Sequence, residues 1–257
     1  MEVRAIRPAP PTIDSAAVWH DAENGSYGAD LVIWEQVAER CEGPVLDLGA
    51  GTGRVALHLA ARGHRVLAVE RDLELVEVLR ERAAARDLPV GVAHADAREF
   101  ELDERFGLIL APMQLVHLLG GPAGRVRMLC AAAASLRPGG EFYAAVLDDP
   151  LPPLGPPTAD TPAPLPDVRE IDGWVHSSLP TEIRIAPDSI TIERLRQLVS
   201  PTGRLTDEIH MVTLDRLTTA TLESEAELCG MRPLPRLPIV ETDDHVGSVI
   251  VRMRGPR

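Results

Sequence analysis

The chain has 257 residues, 45% of them apolar, enough for one domain or for a domain with a cap, and no apolar run approaches the roughly 20 residues that cross a bilayer. All 26 basic residues are arginine, which excludes a phosphate-loop lysine and any Schiff-base mechanism. The formal net charge of −13 argues against nucleic acid and anionic membrane surfaces as partners.

The start, residues 1–28, reads as a ragged Pro-rich arm without the apolar core of a signal peptide. Cys41, Cys130 and Cys229 lie far apart and fit neither a zinc pattern nor a disulfide framework. A soluble protein of the reduced cytoplasm is the expectation.

A helix is expected over about Ala29–Arg40, with Leu31, Trp34, Val37 and Ala38 on one face and Gly43-Pro44 as its stop. A regular alternation follows. Val45–Leu48 is a strand, Arg54–Arg62 a helix, Arg65–Glu70 a strand, and Leu73–Arg86 a helix capped by Asp72. Strands at Val90–His94, Gly107–Ala111 and Glu141–Leu147 come next, with a helix over Ala123–Leu136 before the last of them. Strands alternating with helices predict an α/β fold, a Rossmann-like, doubly wound and mostly parallel sheet spanning residues 29–149.

Eight prolines between 150 and 166 predict an extended connection over residues 150–171. Short runs at Trp174–Ser178, Glu182–Ala186, Ile190–Ser200 and Leu205–Leu214, with turns at Pro180, Pro187-Asp188 and Pro201–Gly203, predict an antiparallel insertion over 172–214. Residues 215–257 would complete the core sheet, with a helix over Thr218–Cys229 and two closing strands near 237–241 and 248–252.

Most informative is Val45-Leu46-Asp47-Leu48-Gly49-Ala50-Gly51-Thr52-Gly53-Arg54, a strand entering a glycine turn that opens a helix. Glu70 ends the next strand 17 residues after Gly53, where an acid can accept both hydroxyls of a ribose. A dinucleotide fold needs a small residue where Arg54 stands, so a nucleotide-dependent oxidoreductase is disfavoured.

The G-x-G-x-G spacing behind Asp47 instead resembles motif I of the class I S-adenosylmethionine-dependent methyltransferases. His94-Ala95-Asp96-Ala97 resembles the family's segment after the third strand, and Leu136–Gly140 its turn before the fifth. The resemblance implies S-adenosylmethionine as cofactor and S-adenosylhomocysteine as product. Asp47, Gly49, Ala50, Gly51 and Gly53 would hold the methionine part and Glu70 the ribose. Asp96 and the Ala97 backbone would hold the adenine, with Arg71 and Ala111 also placed in the cofactor site.

The fourth strand ends in Leu110-Ala111-Pro112-Met113-Gln114-Leu115-Val116-His117, which lacks the Asp/Asn-Pro-Pro-aromatic motif of amino-methylating nucleic-acid enzymes. It also lacks the acid of metal-dependent catechol-type enzymes, so no metal is expected. Met113, Gln114 and His117 are expected at the acceptor, and so is Tyr27, loosely similar to a tyrosine over the cofactor in glycine and sugar-amine N-methyltransferases. Candidate bases are His117, Tyr27 and His20; Arg184, Arg194, Arg196 and His210 read as a solvated face of the insertion. The insertion resembles the cap of those same enzymes and leaves both a pocket lid and a homodimer interface open. The expectation is metal-independent methyl transfer to N or O of a small molecule by in-line positioning; the alternative is a cofactor-binding module without turnover.

Overall fold

The computed structural model describes residues 15–148, 164–242 and 246–256; the Pro-rich start before Ser15 and most of the proline-dense connection lie outside them. In chain order the elements are α1 (Ala16–Asn24), α2 (Leu31–Glu39), β1 (Val45–Leu48), α3 (Arg54–Ala60), β2 (Val66–Glu70), α4 (Leu73–Ala85) and β3 (Val90–His94). Then come β4 (Phe106–Ala111), α5 (Pro122–Ser135), β5 (Leu136–Val146), β6 (Asp167–Ile171), β7 (Trp174–Ile185), β8 (Ser189–Val199) and β9 (Leu205–Asp215). The chain closes with α6 (Thr219–Leu228), β10 (Arg232–Ile239) and β11 (Ser248–Arg254).

Seven strands form one sheet in the order β10-β11-β5-β4-β1-β2-β3. The five from β1 to β5 are parallel, and β11 runs antiparallel between β5 and β10. Central strands covered on both faces must be apolar throughout, and every residue of β1 and β4 is buried, Asp47 included. Alternation splits the core in two. Leu46, Ile109 and Phe142 pack with Met128 and Leu222 of α5 and α6, while Val45, Leu108 and Tyr143 pack with Trp34 and Leu59 of α2 and α3. The chain leaves β1 towards β2 and β3, then crosses to β4 on the other side. That reversal opens a crevice at the carboxyl ends of β1 and β4.

β6 to β9 form a separate antiparallel meander. Two expectations change here. Residues 167–171, assigned to the connection, are its edge strand, and Pro180 makes no turn: β7 runs on through a register shift between Pro180 and Glu182. A bulge tolerates a residue that cannot donate to the ladder. The inner face meets α1; the outer face leaves Val168, Leu205, Ile209 and Met211 exposed.

The arm is also revised, because residues 16–24 are helical. Ser15 caps α1 by accepting from the Val18 N–H (3.3 Å), and Val18, Trp19 and Ala22 are buried. The cysteine expectation fails too: Cys130 of α5 and Cys229, just past α6, form a disulfide. Their 99-residue separation hid a proximity created only when α5 and α6 pack together.

Candidate active site

The turn after β1 is held by backbone geometry and by one carboxylate. Gly51 and Gly53 take left-handed φ values of +57° and +98°; a Cβ on Gly53 would lie 2.2 Å from the Leu79 side chain. Glu70, at the end of β2, spans two turns. Its Oε2 accepts from the Gly51 N–H (2.9 Å), and its Oε1 accepts from the N–H groups of Arg71 (2.8 Å) and Asp72 (2.9 Å). The acid expected at a ribose therefore also locks the glycine turn to the start of α4.

Above this turn lies a cavity of about 320 Å³. Of the residues expected around a cofactor, Asp47, Gly49, Ala50, Glu70, Arg71, Asp96 and Ala97 line it. Gly51, Gly53 and Ala111 do not: the two glycines shape the turn behind it, and Pro112 occupies the wall beyond β4. Asp47 is 1% exposed, and neither carboxylate oxygen has a hydrogen-bond partner. Burial pushes its carboxyl up to about 7, partly opposed by the positive charge of Arg54. An orphaned buried acid facing a cavity needs a cationic or hydrogen-donating ligand group.

Asp96 differs. Arg98 donates to both its oxygens at 2.6–3.1 Å and holds its carboxyl down at about 2, so a ligand amino group would share an occupied acceptor.

Arg54 closes the opposite wall. Its guanidinium donates to both oxygens of Asp30 (2.5 and 2.8 Å) and to the Tyr27 carbonyl (3.0 Å), and it lies 5.1 Å from the centre of the Tyr27 ring. Trp34 Nε1 also donates to Asp30 (2.7 Å). The side chain that argued against a dinucleotide thus ties the segment before α2 onto α3. Its signal was an arginine at the start of a helix, but nothing local marked Asp30 as the partner.

His20 and Asn24 of α1 line the same cavity, with the His20 ring over Gly51. Desolvation lowers the His20 pKa, leaving a neutral imidazole at pH 7. Its neighbour Asp21 accepts from Thr52 Oγ1 in the glycine turn (2.5 Å), pairs with Arg82 of α4, and lies 3.2 Å from Arg169 of β6. Glu23 accepts from Ser178 Oγ (2.7 Å) and from Arg196 (2.8 and 2.9 Å) and lies 3.6 Å from Arg194, so Arg194 and Arg196 belong to a half-buried cluster rather than a solvated face. No residue of β6–β9 lines this cavity or the smaller one beside it; the meander reaches the site through α1.

Met113 and Gln114 line both cavities. Tyr27 lines only the smaller one, and burial, then Asp30, raises its pKa, keeping the phenol protonated. His117 lines neither. It is 2% exposed; its Nδ1–H donates to the Asp215 carbonyl (2.8 Å) and its Nε2 accepts from the Leu147 N–H (3.0 Å). Those partners fix the tautomer and use both ring nitrogens, so His117 joins the end of β9 to the end of β5 rather than standing as a free base. Among the described residues no group of three or more His, Cys, Asp or Glu converges on a metal-sized point, and no helix is long and apolar enough to cross a membrane.

Residues 45–140 match the family described as methyltransferase domain. A cypemycin N-terminal methyltransferase from a Streptomyces species is 33% identical over 119 residues, 46% of this chain and 48% of that protein. A ribosomal RNA small subunit methyltransferase A from Anaeromyxobacter dehalogenans is 44% identical over 73 residues, 27% and 25% of the respective chains. The chain thus spans about half the length of the first relative and a quarter of the second. An amino pentose methyltransferase from Micromonospora echinaspora, solved with S-adenosylmethionine bound, superposes with a TM-score of 0.69 at 16% identity, over 96% of this chain and all of that one.

Proposed function

We propose that this chain, whose residues 45–140 match the methyltransferase domain family, is a class I S-adenosylmethionine-dependent enzyme that transfers a methyl group to the nitrogen of a small-molecule acceptor without a metal. The observation that carries the proposal is Asp47, a buried carboxylate with neither oxygen partnered, opening into the cavity beside Glu70. Asp47 fits the ammonium of the cofactor's methionine part, Glu70 its ribose, and Asp96 with Ala97 its adenine. When bound, the cofactor supplies an already activated methyl on a sulfonium.

What remains for the protein is to hold the acceptor in line and exclude water, and such orientation can supply roughly 7–11 kcal/mol. Met113 and Gln114 stand where the acceptor would meet the cofactor cavity. A hydroxyl acceptor would need a base, and the candidates are poorly placed: His117 is tied to backbone on both nitrogens and Tyr27 holds its proton. His20 is the imidazole left on the cavity wall, and a neutral amine needs no stronger base. Residues 172–214 act as a cap in this proposal, by fixing α1 over the cofactor through Glu23 and Arg196.

An RNA acceptor fits less well, because a chain of net charge −13 without lysine is a poor partner for phosphates. The test begins with calorimetry of S-adenosylmethionine and S-adenosylhomocysteine, then applies methyl-labelled cofactor to metabolite pools and to ribosomal RNA, with and without chelator. We expect binding of both, label in a small amine and no effect of chelator. No binding would overturn the proposal; binding with no label transferred would point to a module without turnover.

A further inference from the structure

The smaller cavity has a composition of its own. It measures about 80 Å³ and lies at the ends of β5, β10 and β11, walled by Ala145, Leu147, Ile239 and Ser248, with Tyr27 and Met113 facing them. Among the described residues its one carboxylate, Asp30, is fully buried with both oxygens taken by Arg54 and a further bond from Trp34, so it offers a ligand no free charge. The other polar lining groups among the described residues, Gln114, Ser248 and the protonated Tyr27 phenol, are neutral. A single water needs roughly 10–15 Å³ of such space, so this volume takes a group of about five or six non-hydrogen atoms.

Met113 stands between the two cavities with φ +55°, a left-handed conformation that costs an unbranched side chain of order 1 kcal/mol or more. Strain at a residue shared by two cavities motivates a ligand-clamping role. Gln114 follows it and also lines both spaces, so a group in the smaller one lies beside the larger at these two residues.

The geometry points to the smaller cavity as a subsite for a compact, uncharged, apolar group of the acceptor, carried next to the atom that is methylated. This rests on the proposed methyl transfer for the identity of the ligand, but the subsite is a property of the cavity and can be probed without cofactor. A charged substituent would be desolvated there without a charge partner among the described residues. A group longer than about six atoms would meet Ile239, which is 4% exposed.

The probe is cyclopentanol, with cyclopropanecarboxylate, which has the same number of non-hydrogen atoms, as the charged control, followed by saturation-transfer NMR on the full chain with and without S-adenosylhomocysteine. We expect saturable binding of the alcohol and at least tenfold weaker binding of the carboxylate. Ser248→Leu places a side chain in the cavity and should weaken cyclopentanol at least fivefold while leaving the calorimetric affinity for S-adenosylhomocysteine within twofold. Equal binding of alcohol and carboxylate, or unchanged alcohol binding in Ser248→Leu, would overturn the subsite. If Ser248→Leu loses its fold, Ile239→Ala decides: the enlarged cavity should favour cyclooctanol over cyclopentanol at least threefold relative to wild type, and an unchanged ratio overturns the proposal. Absence of any heat with S-adenosylhomocysteine in wild type, with the cyclopentanol response intact, would instead count against the methyltransferase proposal alone.

Discussion

The two ends of the proposed active-site crevice are assembled differently. The end lined by Asp47, Gly49, Glu70, Asp96 and Ala97 comes from one stretch of about fifty residues, each at the carboxyl end of a strand or in the turn after it. The other end is gathered from Tyr27, Met113, Gln114, Ala145, Ile239 and Ser248, on segments that meet only in the finished fold. The first is acidic and fixed by backbone hydrogen bonds, whereas the second is neutral and side-chain lined. Such a division lets one end keep a constant ligand while the other changes without disturbing it. Substitutions should therefore sort by end, with cofactor affinity moving in one group and acceptor KM in the other.

The largest effect is expected for Glu70→Ala. It removes the acceptor for three backbone N–H groups as well as the proposed ribose contact. Unsatisfied buried groups cost about 1–3 kcal/mol each, so S-adenosylhomocysteine affinity should fall at least about 100-fold and the melting temperature should drop with it. Calorimetry and a thermal melt on one preparation measure both. A loss of affinity with an unchanged melt would mean that the turn does not depend on Glu70.

Asp47→Asn comes next, and its signature is in pH. The folded-state pKa of Asp47 is raised from an ordinary 3.8 to about 7, so its contribution to the stability of the ligand-free protein is lost as pH rises from about 4 to about 7. A cationic ligand group needs the ionised form, so wild-type affinity should climb over the same upper range, towards pH 8. Asn cannot ionise. At pH 8 the variant should melt about 2–4 °C higher for each kcal/mol recovered and bind S-adenosylhomocysteine about tenfold more weakly, with a flattened pH dependence. Parallel pH profiles for the two proteins would remove Asp47 from the ammonium site.

These two residues were legible in the sequence because their roles follow from local order: strand, glycine turn, helix, then an acid at the next strand end. The same regularity placed β1 to β5 and the helices between them. What escaped depended on long-range pairing. α1 looked like a loose arm because Asp21 and Glu23 find their partners at Arg82, Arg169 and Arg196, 61 to 173 residues away. β6 hid among prolines because an edge strand needs pairing on one side only. His117 looked catalytic beside Gln114, yet the end of β9, 98 residues on, claims its Nδ1.

Glu23→Gln sharpens the comparison from the side of the cap. The amide keeps a hydrogen bond to Ser178 but loses the charge that faces Arg194 and Arg196 in a half-buried cluster. About 1 kcal/mol is at stake, worth about fivefold. Because Glu23 is on α1, whose His20 and Asn24 line the larger cavity, the cost should appear as weaker S-adenosylhomocysteine binding with acceptor KM within twofold. If acceptor KM rises instead, with cofactor affinity unchanged, the cap acts on the acceptor and not through α1 at the cofactor end.

The smallest effect on rate is expected at His117, although its loss should be felt in stability. His117→Ala strands the Asp215 carbonyl and the Leu147 N–H, a cost of about 1–3 kcal/mol. The folded His117 pKa is lowered, first by desolvation, so its stabilising contribution is complete above the unfolded value of about 6.5 and is lost as pH falls through the folded one. The melting temperatures of wild type and variant should therefore differ most above pH 7 and converge in acid. Turnover should stay within about threefold at every pH, since a nitrogen that accepts from a backbone amide is not available to accept from a substrate. A rate that collapses across the whole pH range, with the variant still folded, would return His117 to the chemistry and require its bond to Leu147 to open during the reaction.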